Sequence, residues 1–174
     1  MAQVNADAFL HRLYFDKAGL HARRSTHAQR QRRAWDMLGL SRELVEPLVA
    51  AKFDLYEHVM DLTPVATLMA AHGFRLTRDD IYVNDNTQVV FKHSYFKRAV
   101  PPLRAVPTYF VAAHRNADTK DGMYLVFQAQ ARLAPQEWRA AFGSSRFHNV
   151  REFGGDPHGG NVGIYKEEFV VFDW

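Results

Sequence analysis

The spacing of apolar residues changes near Gly73, from a helical period to a period of about two. Before Gly73, apolar residues recur three to four positions apart, which is the pattern of an amphipathic helix. After Gly73, apolar and polar residues tend to alternate, which is the pattern of a half-buried strand. We therefore predict an α+β fold, with a helical N-terminal part over about residues 5–73 packed on a mainly antiparallel sheet over about residues 80–172.

Capping residues divide the helical part into four predicted helices. Ser, Thr, Asn and Asp side chains accept hydrogen bonds from free backbone N–H groups at a helix start, and glycine at a helix end readily adopts a positive φ. The third helix carries an amphipathic stripe that continues beyond a bend at Pro47 and comprises Leu48, Val49, Lys52, Leu55, Tyr56, Val59 and Met60. The predicted helices run from Asn5 or Asp7 to Gly19, from Ser25 or Thr26 to Gly39, from Ser41 to about Met60, and from a capping Thr63 before Pro64 to Gly73.

Turn-forming residues divide the second part into predicted strands. The cluster Asn84-Asp85-Asn86 separates 81–83 from 87–96, and the segment 116–122 separates 108–114 from 123–133, so two hairpins are expected. A short helix over 135–142, a strand over 146–153 and a terminal strand over 163–172 complete the prediction. No linker or repeat interrupts the chain, and we predict a single domain over residues 1–174.

The strand predicted over 123–133 has two different faces. Its apolar positions are Leu125, Phe127, Ala129 and Ala131, and its polar positions are Gln128, Gln130 and Arg132. Because successive side chains of a strand point to opposite faces, one face is expected to be buried. The polar face is expected to line either solvent or a pocket.

Composition narrows the classes of function. The chain has 174 residues, 47% of them hydrophobic, and no cysteine, so disulfides, thiolate metal sites and cysteine nucleophiles are excluded. The histidines and carboxylates lack metal-ligand spacing, so no metal is expected. No apolar run approaches the roughly 20 residues that span a bilayer, and the first residues lack a signal-peptide pattern. We expect a cytoplasmic protein, or one delivered by a non-classical secretion route, without a cleaved signal peptide.

Positive charge is concentrated in one predicted helix. No acidic residue lies between Lys17 and Trp35, and this segment contains Arg23, Arg24, Arg30, Arg32 and Arg33. Such a basic patch can bind an acidic protein partner or a phosphate-bearing ligand, including nucleic acid. Aromatic residues that could stack on bases are not interleaved with these arginines, so sequence-specific reading of nucleic acid is not expected. A solvated helix face is the alternative interpretation.

A glycine-rich loop near the C-terminus is the first candidate ligand site. It contains Gly154, Gly155 and His158 and lies between two predicted strands. The segment from Ser145 through Gly154-Gly155-Asp156-Pro157 to Phe169-Val170-Val171-Phe172-Asp173 resembles the end of the catalytic domain of the cholera and heat-labile enterotoxin A subunits. The resemblance covers roughly the last 50 residues of the chain.

The resemblance implies an NAD-dependent ADP-ribosyltransferase fold and activity, in a bacterial toxin or effector. In that family a Glu stabilises the cationic ribosyl transition state as nicotinamide leaves. The family's Glu-x-Glu pair falls on Phe147-His148-Asn149, so the catalytic position holds Asn149 and the domain would be degenerate. A shift in the alignment would instead place Glu168 at the catalytic position and Lys166 at the position of the first acid. Ser94, which is the only strand serine at a plausible place for the family's Ser-Thr-Ser strand, and Tyr165 are further candidate ligand-binding residues. The alternative for Glu168 is an ordinary charge that protects a terminal strand.

Two other functions remain open on the residues alone. A metal-independent ribonuclease would use His148 and His158 as general acid and base, with Arg146, Arg151, Lys166 and Tyr165 nearby. A non-enzymatic binding or immunity-type protein would use the basic helix. The leading hypothesis at this level is the ADP-ribosyltransferase-like domain with its ligand against the glycine-rich loop.

Overall fold

The computed structural model describes residues 27–51, 55–56, 59–94, 106–115, 122–133, 135–136, 162–166 and 168–171. The chain divides into two compact units. The larger contains His27–Ala99 and Val106–Gln130, and the smaller contains Met1–Thr26, Val100–Ala105 and Ala131–Trp174. The prediction of a single domain over 1–174 stays a prediction.

The α+β class is confirmed. In the larger unit, three α-helices pack against a five-stranded antiparallel sheet, and a short hairpin is added. The helices are α1 (His27–Leu38), α2 (Arg42–Ala50) and α3 (Ala66–Ala71), the last preceded by a 3-10 turn over Thr63–Val65. The strands of this unit are β1 (Leu55–Tyr56), β2 (Val59–Met60), β3 (Arg75–Leu76), β4 (Tyr82–Asn84), β5 (Val89–Ser94), β6 (Thr108–Arg115) and β7 (Gly122–Ala129).

Local signals set the end of α1 and the start of α2 as predicted. Gly39 has a φ of 62°, its N–H bonds to Asp36 O, and the Leu40 N–H bonds to Trp35 O. These two bonds form a Schellman motif, which satisfies the last carbonyls of α1. The hydroxyl of Ser41 accepts a hydrogen bond from the Leu44 N–H and caps α2.

The prediction that the helix continues beyond Pro47 to about Met60 is wrong. Helix α2 contains Pro47 but ends at Ala50, and β1 then pairs with β2 in an antiparallel ladder. Tyr56 lies opposite Val59, and Leu55 lies opposite Met60. In a tight hairpin, residues three apart in the sequence lie opposite each other, and residues three apart are also neighbours on a helix, so a short apolar stripe does not distinguish the two structures.

The residues that precede α3 also differ from the prediction, in which Thr63 caps this helix. The Thr63 hydroxyl was expected to cap it, but Leu62 occupies the N-cap position of the 3-10 turn and makes no side-chain cap bond. The carboxylate of Asp61 instead accepts the Thr63 N–H at 2.9 Å. Gly73, with a φ of 84°, follows the helix as predicted.

Both predicted hairpins of the sheet form. Strand β4 pairs with β5, and β6 pairs with β7, so the strand order is β3-β4-β5-β7-β6. The Asn84 side chain accepts the N–H groups of Asn86 and Thr87 and shapes the first turn. A bulge between Phe110 and Ala112 shifts the register of β6.

The core of the larger unit is aromatic and centres on Phe127. Phe127 is fully buried, and its ring centroid lies 4.8 Å from that of Phe91 on β5 and 5.8 Å from that of Phe74. Tyr82 packs on Phe91 and donates a hydrogen bond to Leu62 O. These contacts join the helical layer to the sheet.

The expectation that the polar positions of this strand are accessible is wrong for Gln128, whereas Gln130 and Arg132, which follow β7, are exposed. Val126 and Phe127 point to opposite faces and are both fully buried, and Gln128 is only 1% exposed. The Gln128 amide donates to the Thr108 hydroxyl, which donates to Val106 O, so the polar groups are satisfied by hydrogen bonds inside the protein. Strand β7 also ends at Ala129, before the positions predicted to continue it.

The smaller unit contains a three-stranded antiparallel sheet. Its strands are β8 (Arg132–Leu133), β9 (Val162–Tyr165) and β10 (Glu168–Val171), in the order β10-β9-β8. The single terminal strand predicted over 163–172 is therefore wrong: the chain reverses at Lys166, whose φ of 48° suits a tight hairpin turn. The predicted strand over 146–153, the first predicted helix and most of the helix over 135–142 lie outside the described residues.

Candidate functional site

The basic segment predicted as a helix is helical from His27 onward and forms α1. Asp36 is the single acid among the twelve residues of α1. Arg32 and Arg33 are exposed, whereas Arg30 is half-buried and its Nε is enclosed. Arg23 and Arg24 lie outside the described residues. The structure therefore separates the predicted basic patch into exposed arginines and one that is partly enclosed.

The two exposed arginines have no ion-pair partner among the described residues. Arg42 pairs with Glu46 at 2.9 Å, and Arg75 pairs with Asp85 at 2.6 Å, but no described carboxylate lies within 4.0 Å of Arg32 or Arg33. Asp36 follows both by about one helical turn and forms no such pair. We call Arg32 and Arg33 the basic helix surface.

Contacts with strand β6 hold α1 in place. The Trp35 and Tyr109 rings meet edge to face, with centroids 5.2 Å apart. The Gln31 side chain donates to Phe110 O at 2.9 Å and accepts the Phe110 N–H at 2.8 Å. Ala34 and Leu38 are buried, so α1 has an inner face and an outer, charged face.

The hairpin formed by β9 and β10 contains two of the predicted site residues at paired positions. Glu168 is the first residue of β10 and lies directly opposite Tyr165 in the antiparallel register. The Lys166 ammonium lies 5.5 Å from the centre of the Tyr165 ring, within the range of a cation–π contact.

Of the other predicted site residues in the glycine-rich loop and the sheet, the structure describes Ser94. Ser94 is the last residue of β5 in the larger unit, lies opposite Tyr124 and is 7% exposed. The remaining candidates lie outside the described residues and are His148, Asn149, Gly154, Gly155 and His158. The glycine-rich loop therefore stays a prediction.

His93 is a polar residue that the sequence did not single out as a site. Its Nδ1 is buried and makes no hydrogen bond with any described residue. Burial lowers the pKa of His93 below its usual value, the charge of Lys92 lowers it further, and the charge of Asp80 acts in the opposite direction. Asp80 precedes β4 by two residues and thereby reaches the level of His93 on the neighbouring strand. The alternation of apolar and polar residues along β5 does not indicate that the His93 Nδ1 is buried.

Metal and membrane features are absent from the part of the chain that the structure describes. It holds no group of three or more His, Asp or Glu residues placed to bind a metal ion. None of the helices in the described ranges combines the length and apolar character needed to cross a bilayer.

Comparisons of the chain with protein-family models, with curated proteins and with solved structures found no match.

Proposed function

We propose that this chain is a non-enzymatic binding protein of the immunity type, and that the basic helix surface contacts an acidic protein partner. The observation that carries the proposal is that Arg32 and Arg33 are exposed on a helix anchored to the sheet, without a carboxylate partner among the described residues. Arginine is enriched in protein interfaces, and its planar guanidinium binds a carboxylate bidentately, through two N–H···O hydrogen bonds.

An apolar side chain beside these charges supports contact with a protein rather than with a small anion. Met37 follows Arg33 by four residues, which is one helical turn, and is 43% exposed. Interfaces combine arginine with methionine or aromatic residues in this way. Exposed ion pairs contribute only about 0.2–1 kcal/mol each, so the arginines are expected to act mainly on association rate and partner choice.

Charge reversal on α1 tests the proposal, with poly-L-glutamate as the probe. We expect Arg33→Glu to raise the Kd for labelled poly-L-glutamate about fivefold, because an attraction is replaced by a repulsion. Fluorescence anisotropy at low and high salt measures this, and binding should weaken as salt screens the charges. Arg32→Glu should act similarly, whereas Arg30 is a poor test residue because it is half-buried.

Arg78→Glu is the matched control for net charge. Arg78 is exposed and lies outside α1, in the turn between β3 and β4. If Arg78→Glu weakens binding as much as Arg33→Glu, the effect comes from net charge and the proposal fails. Binding to a short RNA in preference to poly-L-glutamate would instead favour a nucleic-acid partner.

The resemblance to ADP-ribosyltransferases gives a second candidate function, with the corresponding fold. What favours it is the register of the β9–β10 hairpin, in which Glu168 lies opposite Tyr165. An acidic residue opposite an aromatic one suits a nucleotide whose ribosyl carbon becomes positively charged in the transition state. NAD would be the co-substrate, in an active or a degenerate site, and Ser94, Asn149 and the glycine-rich loop stay proposed ligand contacts.

Titration with NAD separates this candidate from the binding protein. Isothermal titration calorimetry should detect NAD binding to the wild-type protein, and Glu168→Gln should retain binding but lose release of nicotinamide. Glutamine keeps the shape of the side chain and removes its charge, so a loss of turnover alone assigns the effect to charge. An absence of heat at millimolar NAD would exclude this function and leave the proposal for α1 untouched.

A further inference from the structure

The outer edge of the five-stranded sheet is covered at one point by a side chain. Strand β6 is the last strand in the order β3-β4-β5-β7-β6, so β7 pairs with one side of it, and no described strand pairs with the other. An edge strand presents free N–H and C=O groups that can pair with another chain. Natural proteins commonly block such edges with charges, bulges or covering elements.

The Gln31 amide occupies the position that a neighbouring strand would take. It donates to Phe110 O and accepts the Phe110 N–H, at 2.9 and 2.8 Å. A carboxamide carries the same donor and acceptor as a peptide group, so this pair of bonds imitates one rung of a β-ladder. The bulge that follows Phe110 distorts the edge at the next position.

The sequence of β6 is one that pairs readily with itself. The segment Thr108–Ala113 contains no charge, no glycine and no proline, and is rich in aromatic and β-branched residues. In an antiparallel pair of two β6 strands about a two-fold axis, the single Arg115 of each copy lies at the opposite end, so the like charges do not meet. A second copy of this chain is therefore the strand that suits this edge of β6, with which no described strand pairs.

We propose that Gln31 guards β6 against antiparallel pairing with a second copy of this chain. Helix α1 then blocks the sheet edge through Gln31, and this is separate from the binding proposed for Arg32 and Arg33. Gln31 blocks the strand at Phe110, on the side of β6 that faces away from β7. It does not depend on the basic helix surface binding any partner.

Removal of the Gln31 amide tests the guard in the full-length protein. We expect Gln31→Ala to form dimers or larger species that increase with protein concentration, measured by sedimentation velocity, while the wild type stays monomeric. Hydrogen exchange of the Phe110 amide should accelerate about tenfold in the Gln31→Ala monomer at low concentration, because its acceptor is lost. Asp36→Ala, at an exposed position of the same helix, is the matched control and should change neither quantity.

A second substitution distinguishes strand pairing from unfolding. Ala113 is exposed on β6, and a lysine there should prevent a second strand from adding. The double variant Gln31→Ala with Ala113→Lys should return to a monomer and keep the rapid exchange at Phe110. If Gln31→Ala unfolds, Gln31→Glu is used, because it keeps the acceptor and loses the donor.

Three results would overturn the proposal: a Gln31→Ala protein that remains monomeric at all concentrations, self-association that Ala113→Lys does not reverse, or a wild type that already pairs through β6.

Discussion

His93 shows how one enclosed side chain can make the stability of the fold depend on pH. Its Nδ1 is buried without a hydrogen bond to any described residue, and burial favours the neutral ring. Asp80 opposes this effect and Lys92 adds to it, and the net result is a lowered pKa. The neutral form is therefore the one that the native structure accommodates.

The sign of the effect follows from proton linkage. Above the unfolded pKa of about 6.5, neither state binds the proton and the native stability is complete. As the pH falls from this value toward the lower folded pKa, the unfolded state takes up the proton first, and the free energy of unfolding decreases. Urea denaturation of the wild type and of His93→Gln over this range measures the difference. We expect the wild type to lose stability relative to His93→Gln at acid pH, and parallel curves would contradict the lowered pKa.

At the scale of a single element, the end of α1 depends on one left-handed residue. Gly39 has a φ of 62°, and a Cβ added there would meet no atom within 4 Å. Gly39→Ala should therefore cost only the backbone strain, about 1–2 kcal/mol in the free energy of unfolding. Gly39→Asn should cost less, because asparagine tolerates this conformation. Urea unfolding monitored by circular dichroism measures both, and equal losses would show that strain is not the cause.

Elements with strong local signals are the ones that the sequence predicts well. Gly39, Ser41 and the Asn84 turn act through their own backbone and their nearest neighbours, so a reader of the sequence can place them. The helix predicted through 52–60 is wrong because apolar spacing over so short a stretch fits a hairpin equally well.

Features that depend on contacts between residues far apart in the chain cannot be predicted from local sequence patterns. The exposure of Arg32 and Arg33 agrees with the prediction of a basic helix, but the enclosure of Arg30 appears only once α1 is packed in place. The Gln31 amide meets Phe110, a residue 79 positions away, and no local pattern indicates this. Gln128 is likewise buried by packing, and its hydrogen bond to Thr108 on the neighbouring strand compensates the loss of contact with water.

At the scale of the whole larger unit, Phe127 links the sheet to the helical layer. Its ring packs against Phe91 on β5 and against Phe74, which follows α3, and it is fully buried. Phe127→Ala should cost about 3–5 kcal/mol, because it removes these contacts and leaves a cavity. Since whole domains are stable by only about 5–15 kcal/mol, a large fall in melting temperature is expected, measured by scanning calorimetry.

Val126 provides the comparison, because it is equally buried but points to the opposite face of β7. Val126→Ala removes two methyl groups in place of a ring, so its cost should be smaller, though well above that of a surface substitution. A loss near zero for Val126→Ala would mean that the second face of the sheet adds little to stability. A clear loss for both variants would establish β7 as the strand through which both faces of the sheet stabilise the unit.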